Sequence, residues 1–306
     1  MNTITVNDNA TTLVDELNQL RGGNAKTRNL RVCSYNIGHF RMGHDQSSKI
    51  SDQVTDYGNE YYAQNSTNYP YPNSNYAVQL KRWKNRLAEI GADVFCACEY
   101  NTVFGTLSGV TKYAKDVVFD DYPYNFIHDT NTSYWVQAVF SNPKILSTST
   151  HQLLTNERYT TLDVVYKAWA TEAVVNIGKE VHIACTQLNW SRYPNYKTAR
   201  TEELAALVDL YKNYDCAIIC GDFNVDSADE FQVFIDNGFV CANSPLVPLL
   251  TCPAQGLKPS VNNGFPTSSL DNIIVKGFSL SDIRVVNDPF LTDHCGVVAD
   301  LTLINS

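Results

Sequence analysis

An apolar run that stops on a carboxylate constrains this chain more than any other feature. Cys216-Ala217-Ile218-Ile219-Cys220 reads as a buried strand, and Gly221-Asp222-Phe223-Asn224 follows it directly. Asp222 and Asn224 are therefore expected where the chain leaves a sheet. A second string, Thr292-Asp293-His294, stands in front of the strand expected at Gly296–Leu303. Strand ends that present Asp, Asn and His to one cleft let a rigid sheet position metal ions and proton-transfer groups. The chain is thus expected to fold around a sheet whose edge does chemistry on an anionic substrate.

The rest of the sequence supplies partners for that strand. Leu30 to Ile37 alternates like a strand, and Leu80, Trp83, Leu87 and Ile90 mark one face of a helix. Asp93 to Glu99 returns to strand. Further strands are expected at Tyr124–His128, Val136–Ser141, Thr161–Ala170, Ala173–Ile177 and Val181–Thr186. A helix follows with Leu204, Leu207, Val208 and Tyr211 on its apolar face, and late strands are expected at Leu270–Val275, Ser279–Val286 and Gly296–Leu303. Many strands with interspersed helices fit an α/β architecture of two packed sheets flanked by helices. No internal repeat is visible in the sequence. The motifs spread from residue 32 to residue 295, which leaves no room for a second core, so one domain is expected over residues 30–306. Residues 1–29 form a polar segment, read as a tail or an attachment.

Two stretches are expected to be loops. Tyr57 to Tyr76 is rich in Tyr, Asn, Ser and Pro, and Pro245 to Pro266 is broken by prolines; both could wall a cleft. The formal net charge of −9 excludes binding to nucleic acid through overall positive charge and leaves only a local basic patch. Nine cysteines, mostly inside apolar runs, point to a reducing compartment. With no secretion signal and no apolar run near the ~20 residues that span a bilayer, the expectation is a soluble, cytoplasmic protein without membrane contact.

The chemistry-bearing residues come in a definite order. Asn36 closes the first strand, Glu99 the second, Asp222 and Asn224 follow a middle strand, Asp271 lies in Ser269-Leu270-Asp271-Asn272, and Asp293-His294 precedes the last. A lone Asp at a strand end is a turn former more often than a ligand, but six such positions together weaken that reading. Hard oxygen donors such as Glu99, Asn36 and Asp293 suit Mg²⁺ or Mn²⁺.

In order and wording, Tyr35-Asn36-Ile37, Cys98-Glu99, Gly221-Asp222-Phe223-Asn224, Ser269-Leu270-Asp271-Asn272 and Thr292-Asp293-His294 resemble the signature set of the endonuclease/exonuclease/phosphatase superfamily, the DNase I-like fold. Val136 to Ile145 is similar to an internal strand of that family, and Arg200, Glu203 and Leu207 resemble its "RxxQxxxL" helix. The resemblance implies a four-layer α/β/β/α sandwich with one active site between two mixed sheets. It implies a divalent ion, Mg²⁺ or Mn²⁺, held by Glu99 and Asn36, with Asp293 near the ion or near the histidine. By the same analogy Asp222 orients or deprotonates water, Asn224 binds a phosphate oxygen, and His294, paired with Asp271, serves the phosphoryl group.

The chain departs from the family at one place. Where the family carries a histidine that contacts the phosphate, Cys185-Thr186-Gln187-Leu188 places Gln187, which donates a hydrogen bond but carries neither charge nor proton. Gln187 as a phosphate ligand, replacement by His39 or His44, and a slow or non-catalytic binding relative all stay open. The function implied is a phosphodiester hydrolase, an endonuclease or exonuclease, with a phosphatase or lipid phosphodiesterase as further alternatives. No string resembles the "PAWCDR" segment of inositol phosphatases, and no strongly apolar hairpin suggests a lipid. A nucleic-acid substrate is expected by elimination, with Trp190, Arg192, Tyr193 and the Tyr57–Tyr76 loop as candidate contacts and a monomer as the working unit.

Overall fold

Alternation along the apolar runs decides which side of a sheet each side chain meets, and the chain uses it to build two sheets face to face. The computed structural model describes residues 29–40, 76–107, 110–128, 136–154, 168–190, 195–252, 268–288 and 291–304. Strand β1 (Asn29–Asn36) leads into a short turn at Gly38–Phe40. Helix α1 (Tyr76–Ile90) precedes β2 (Val94–Tyr100), a hairpin of β3 (Val103–Leu107) and β4 (Val110–Tyr113), and the short α2 (Ala114–Val117). Strands β5 (Tyr124–His128), β6 (Val136–Ser141), β7 (Ile145–Gln152), β8 (Trp169–Asn176) and β9 (Glu180–Gln187) come next, then α3 (Tyr196–Tyr211) and β10 (Ala217–Asp222). The short α4 (Gln232–Ile235), β11 (Val240–Cys241), β12 (Asp271–Lys276), β13 (Phe278–Val286) and β14 (Gly296–Leu303) complete the order.

The first sheet runs β13-β14-β1-β2-β6-β5 and the second β11-β12-β10-β9-β8-β7. In each, the central pair is parallel, β1 with β2 and β10 with β9, and the flanking pairs are antiparallel. The two sheets thus repeat one pattern that the sequence does not show as a repeat. Between them lies a dry layer with Val32, Val94, Cys96 and Val297 on one side and Ile183, Ile218, Cys220 and Ile273 on the other. Trp83, Leu87 and Ile90 of α1 cover the outer face of the first sheet, and Leu204, Leu207, Val208 and Tyr211 of α3 cover the second. This is the expected α/β/β/α sandwich, the DNase I-like architecture.

Some boundaries differ from expectation, each for a reason outside local periodicity. Helix α1 begins at Tyr76, the last residue assigned to the tyrosine-rich loop; the remainder of that loop lies outside the described residues. The break expected between Ala170 and Ala173 is absent, because Thr171 and Glu172 stay in β8 and find partners on neighbouring elements. β7 is a polar edge strand, ILSTSTHQ, that carries no apolar alternation to read. All nine cysteines are free thiols and eight of them are buried. No helix among the described residues is long and apolar enough to cross a membrane.

Candidate active site

Four polar side chains reach the space between the sheets by strand parity alone. Val32, Cys185, Cys220 and Ile273 face the inter-sheet core, so residues an even number of positions away, Asn36, Gln187, Asp222 and Asp271, face the same way. All four sit at strand ends and are buried. Gly221 lets the Asp222 strand lie this close to β9, since a Cβ there would stand 2.1 Å from the Thr186 carbonyl oxygen.

Glu99 arrives by a different route. Cys98 faces the inter-sheet core while Ala97 and Tyr100 both face the α1 side, so one residue too many stands between them. The register against β6 slips between Ala97 and Tyr100, and Glu99 has φ of 50°. This is a β-bulge, and it supplies the extra residue that turns Glu99 toward the site, where strict alternation would set it under α1. The turn after β1 is stranger still: Gly38, His39 and Phe40 all have positive φ, at 53°, 56° and 59°. Left-handed backbone costs non-glycine residues roughly 1–2 kcal/mol each. Packing offsets that cost, because Phe40 is buried against Trp83, Tyr100 and Phe104. Among the described residues, every non-glycine with positive φ, His39, Phe40, Glu99 and Asn224, lies at this one site.

The side chains form one connected set. Asn36 Nδ2 donates to Glu99 Oε1 at 3.1 Å and to Asp222 Oδ2 at 3.0 Å. Gln187 Nε2 donates to the same Glu99 oxygen at 2.9 Å and lies 3.5 Å from the same Asp222 oxygen. Two carboxamides thus bracket two carboxylates. Glu99 Oε2 lies 3.3 Å from His39 Nε2. His294 Nδ1 meets Asp271 Oδ2 at 2.9 Å, and its Nε2 stands 3.9 Å from Asp222 Oδ2. Thr292 Oγ1 donates to the Asn36 carbonyl at 2.8 Å, which joins the His294 turn to β1.

Burial dominates the electrostatics. It pushes the Asp222 carboxyl up to about 7, against the opposing pull of His294, and it raises Glu99, with Asp293 adding repulsion. Burial opposes the imidazolium of His294, yet Cys252, Asp271 and Asp222 overcome it and raise its pKa well above the ordinary value. The Cys252 thiol is itself pushed up by burial, so the effective charges are the two carboxylates. Asp271, 2.9 Å from Nδ1, orients the imidazole beside Asp222 and favours its protonated form.

Helix α3 braces the loops from behind with two buried charges. Arg200 Nη1 donates to the Asn224 carbonyl at 2.6 Å, and its guanidinium pairs with Glu230. Glu203 accepts the Asn189 backbone N–H at 3.0 Å as well as the Asn189 side-chain amide. Asn224 Nδ2 donates to the Leu188 carbonyl at 2.9 Å and ties the two loops together.

Of the residues expected at the site, Asn36, Glu99, Gln187, Asp222, Asn224, Asp271, Asp293 and His294 lie on or beside the strand ends at the mouth between the sheets. Asn224 uses one amide hydrogen on Leu188, leaving only the other for a phosphate. Asp293 lies 3.4 Å from Thr292 Oγ1, and its charge raises both the Glu99 carboxyl and the Cys252 thiol beside His294. Among the described residues, one group of three His, Cys, Asp or Glu side chains has all its ligand atoms within 4.8 Å of one another, and it is Asp222, Asp271 and His294, not Glu99 with Asp293. His39, expected from the sequence as a stand-in for the missing histidine, lies against Glu99. His44, Arg192 and Tyr193 lie outside the described residues.

No family model matches the chain, and no curated protein matches it by sequence. Solved structures match its fold. An endonuclease/exonuclease/phosphatase from Beutenbergia cavernae is 16% identical with a TM-score of 0.59, over 91% of this chain and 72% of that one. A humanized D. rerio TDP2 is 15% identical with a TM-score of 0.59, over 90% and 99%. The 3' phosphatase NExo from Neisseria, bound to a product DNA hairpin, is 14% identical with a TM-score of 0.54, over 88% and 98%.

Proposed function

From a fold shared with endonuclease/exonuclease/phosphatase proteins, we propose that this chain is a Mg²⁺- or Mn²⁺-dependent phosphodiesterase, a nuclease acting on DNA or RNA. The observation that carries the reading is the convergence of Asn36, Glu99, Gln187, Asp222 and the His294–Asp271 pair at one sheet mouth. The donor set fits a hard divalent ion. Glu99 and Asp222 are neighbouring carboxylates whose pKa values burial holds high, a penalty that a nearby divalent charge removes, and Gln187 Oε1 is a buried oxygen without a hydrogen-bond partner. Glu99, with Asn36 and Asp293, would hold the ion, which supplies charge neutralisation on the phosphodiester.

The chain's own residues supply the rest. Asp222, oriented by Asn36 and Gln187, takes a proton from the attacking water. His294, held protonated by Asp271, donates a hydrogen bond to a phosphoryl oxygen as charge builds there. Asn224 offers its remaining amide hydrogen to a second oxygen. Gln187 grips Glu99 and Asp222 and needs no charge to do so.

A nucleic-acid substrate is supported by the DNA-bound phosphatase of the same fold. A lipid phosphodiester is the second reading. The sequence shows no strong apolar hairpin, yet Leu246 and Val247 stand 91% and 73% exposed on a turn whose base, Asn243, donates to the Asp271 carbonyl. Nine free cysteines support a cytoplasmic setting, and a monomer suffices because one chain carries every named group. A turnover screen with added Mn²⁺ over DNA, RNA, sphingomyelin, phosphoinositide and a chromogenic diester tests the reading. Chelator-sensitive cleavage of DNA or RNA supports it, and cleavage of lipid alone moves the substrate. Binding without turnover on any of them leaves a recognition module and refutes the enzyme.

A further inference from the structure

The left-handed turn at Gly38–Phe40 aims one imidazole at the carboxylate expected to hold the ion, and nothing in the proposed hydrolysis uses it. His39 is 3% exposed in a chain with only six histidines, and its Nε2 lies 3.3 Å from Glu99 Oε2. Three contacts hold the turn in place. Asn36 Oδ1 accepts the Gly38 N–H at 3.1 Å, the Phe40 N–H reaches the Ile37 carbonyl at 3.1 Å, and Thr292 Oγ1 fastens the Asn36 carbonyl. Gln187 and Asn36 occupy the other oxygen of Glu99, which leaves Oε2 to His39 Nε2.

We propose that His39 is a nitrogen ligand which, with Glu99, makes the ion site select a first-row transition ion such as Mn²⁺ over Mg²⁺. The inference rests on the metal-site reading of Glu99 and names the ion that site prefers. Two ligands at right angles on an ion with bonds of roughly 2.1 Å stand about 3 Å apart, close to the observed spacing of Glu99 and His39. A neutral imidazole coordinates through Nε2 with its proton on Nδ1. Such a nitrogen raises affinity for transition ions, whereas Mg²⁺ keeps to oxygen and water.

The test is Mn²⁺ and Mg²⁺ binding by calorimetry, with pulsed electron paramagnetic resonance on the Mn²⁺ form, for the full chain and for His39→Asn and Glu99→Gln. Asparagine tolerates left-handed backbone, and a melt in chelator checks that the variant folds. The expected result is a nitrogen hyperfine coupling that disappears in His39→Asn. Mn²⁺ affinity should then fall roughly tenfold or more while Mg²⁺ affinity stays within about threefold. No coupling in the wild type, a coupling that survives His39→Asn, or equal weakening of both ions would overturn the proposal. Glu99→Gln separates the two readings. If it abolishes binding of both ions while His39→Asn changes nothing, only the nitrogen ligand fails; if it leaves both ions bound, the Glu99 site itself fails.

Discussion

Two imidazole–carboxylate pairs, one buried and one partly buried, belong to the second sheet and its surroundings, and they share a bond length without sharing a role. His294 meets Asp271 at 2.9 Å, and His182 meets Glu172 at 2.9 Å. The His182 pair lies on the outer face, where the ring stacks on Tyr214 at 3.5 Å. Tyr211 donates to the other oxygen of Glu172, and His151 stands 3.4 Å from it. Every polar edge of Glu172 is spent inside the protein. The His294 pair opens on the mouth between the sheets, where a second carboxylate, Asp222, stands 3.9 Å from Nε2, the Cys252 thiol hydrogen-bonds to the ring, and Asp271 keeps Oδ1 without a hydrogen-bond partner. A satisfied pair is mortar across strands, whereas a pair with an unpartnered carboxylate oxygen and another carboxylate beside it can move a proton.

The comparison can be broken by experiment. His294→Ala should lower turnover on a chromogenic diester by about 10²–10⁴-fold, while His182→Ala leaves it within about twofold. Comparable losses in both variants would erase the distinction. The stability ranking should reverse for the carboxylates. Glu172→Ala leaves the Tyr211 hydroxyl and two imidazoles short of a buried acceptor and should cost roughly 1–3 kcal/mol in denaturant unfolding. Asp271→Asn keeps an acceptor for His294 Nδ1 and lets the imidazole become neutral, so a loss of stability as large as that of Glu172→Ala would count against the assignment.

A smaller effect concerns Glu203, whose carboxyl burial pushes up to about 7 from the ordinary 4.5. A carboxyl raised on folding is ionised at a cost, so its penalty is absent below the unfolded pKa, grows as pH rises from about 4.5 to 7, and is constant above. The full penalty is on the order of 3 kcal/mol. Glu203→Gln should flatten that part of the stability–pH curve, and an unchanged slope in urea melts between these pH values would refute it.

Strand parity made much of the site legible in the sequence. Asn36, Gln187, Asp222 and Asp271 each lie an even number of residues from an inter-sheet apolar residue on the same strand, so a period of two sufficed. Glu99 was found by its place after Cys98, but the bulge that aims it depends on pairing with β6, which no local pattern reports. His39 depends on a left-handed turn that Phe40 packing against Trp83 and the Thr292 bond to the Asn36 carbonyl help to hold. Arg200 and Glu203 sit on the buried face of α3, where charges contradict the apolar stripe until the loops they brace are seen. In each case the missing information lies in contacts distant along the chain.

The proposed reaction is phosphodiester hydrolysis at the mouth between the sheets, with Asp222 handling the water. Chelator-sensitive turnover of a chromogenic diester with Mn²⁺, measured for wild type and Asp222→Asn at matched folding, tests it most directly. Turnover is expected in the wild type, with a loss of about 10³-fold or more in the variant, which retains its thermal stability. Turnover in Asp222→Asn within a few-fold of the wild type would contradict it.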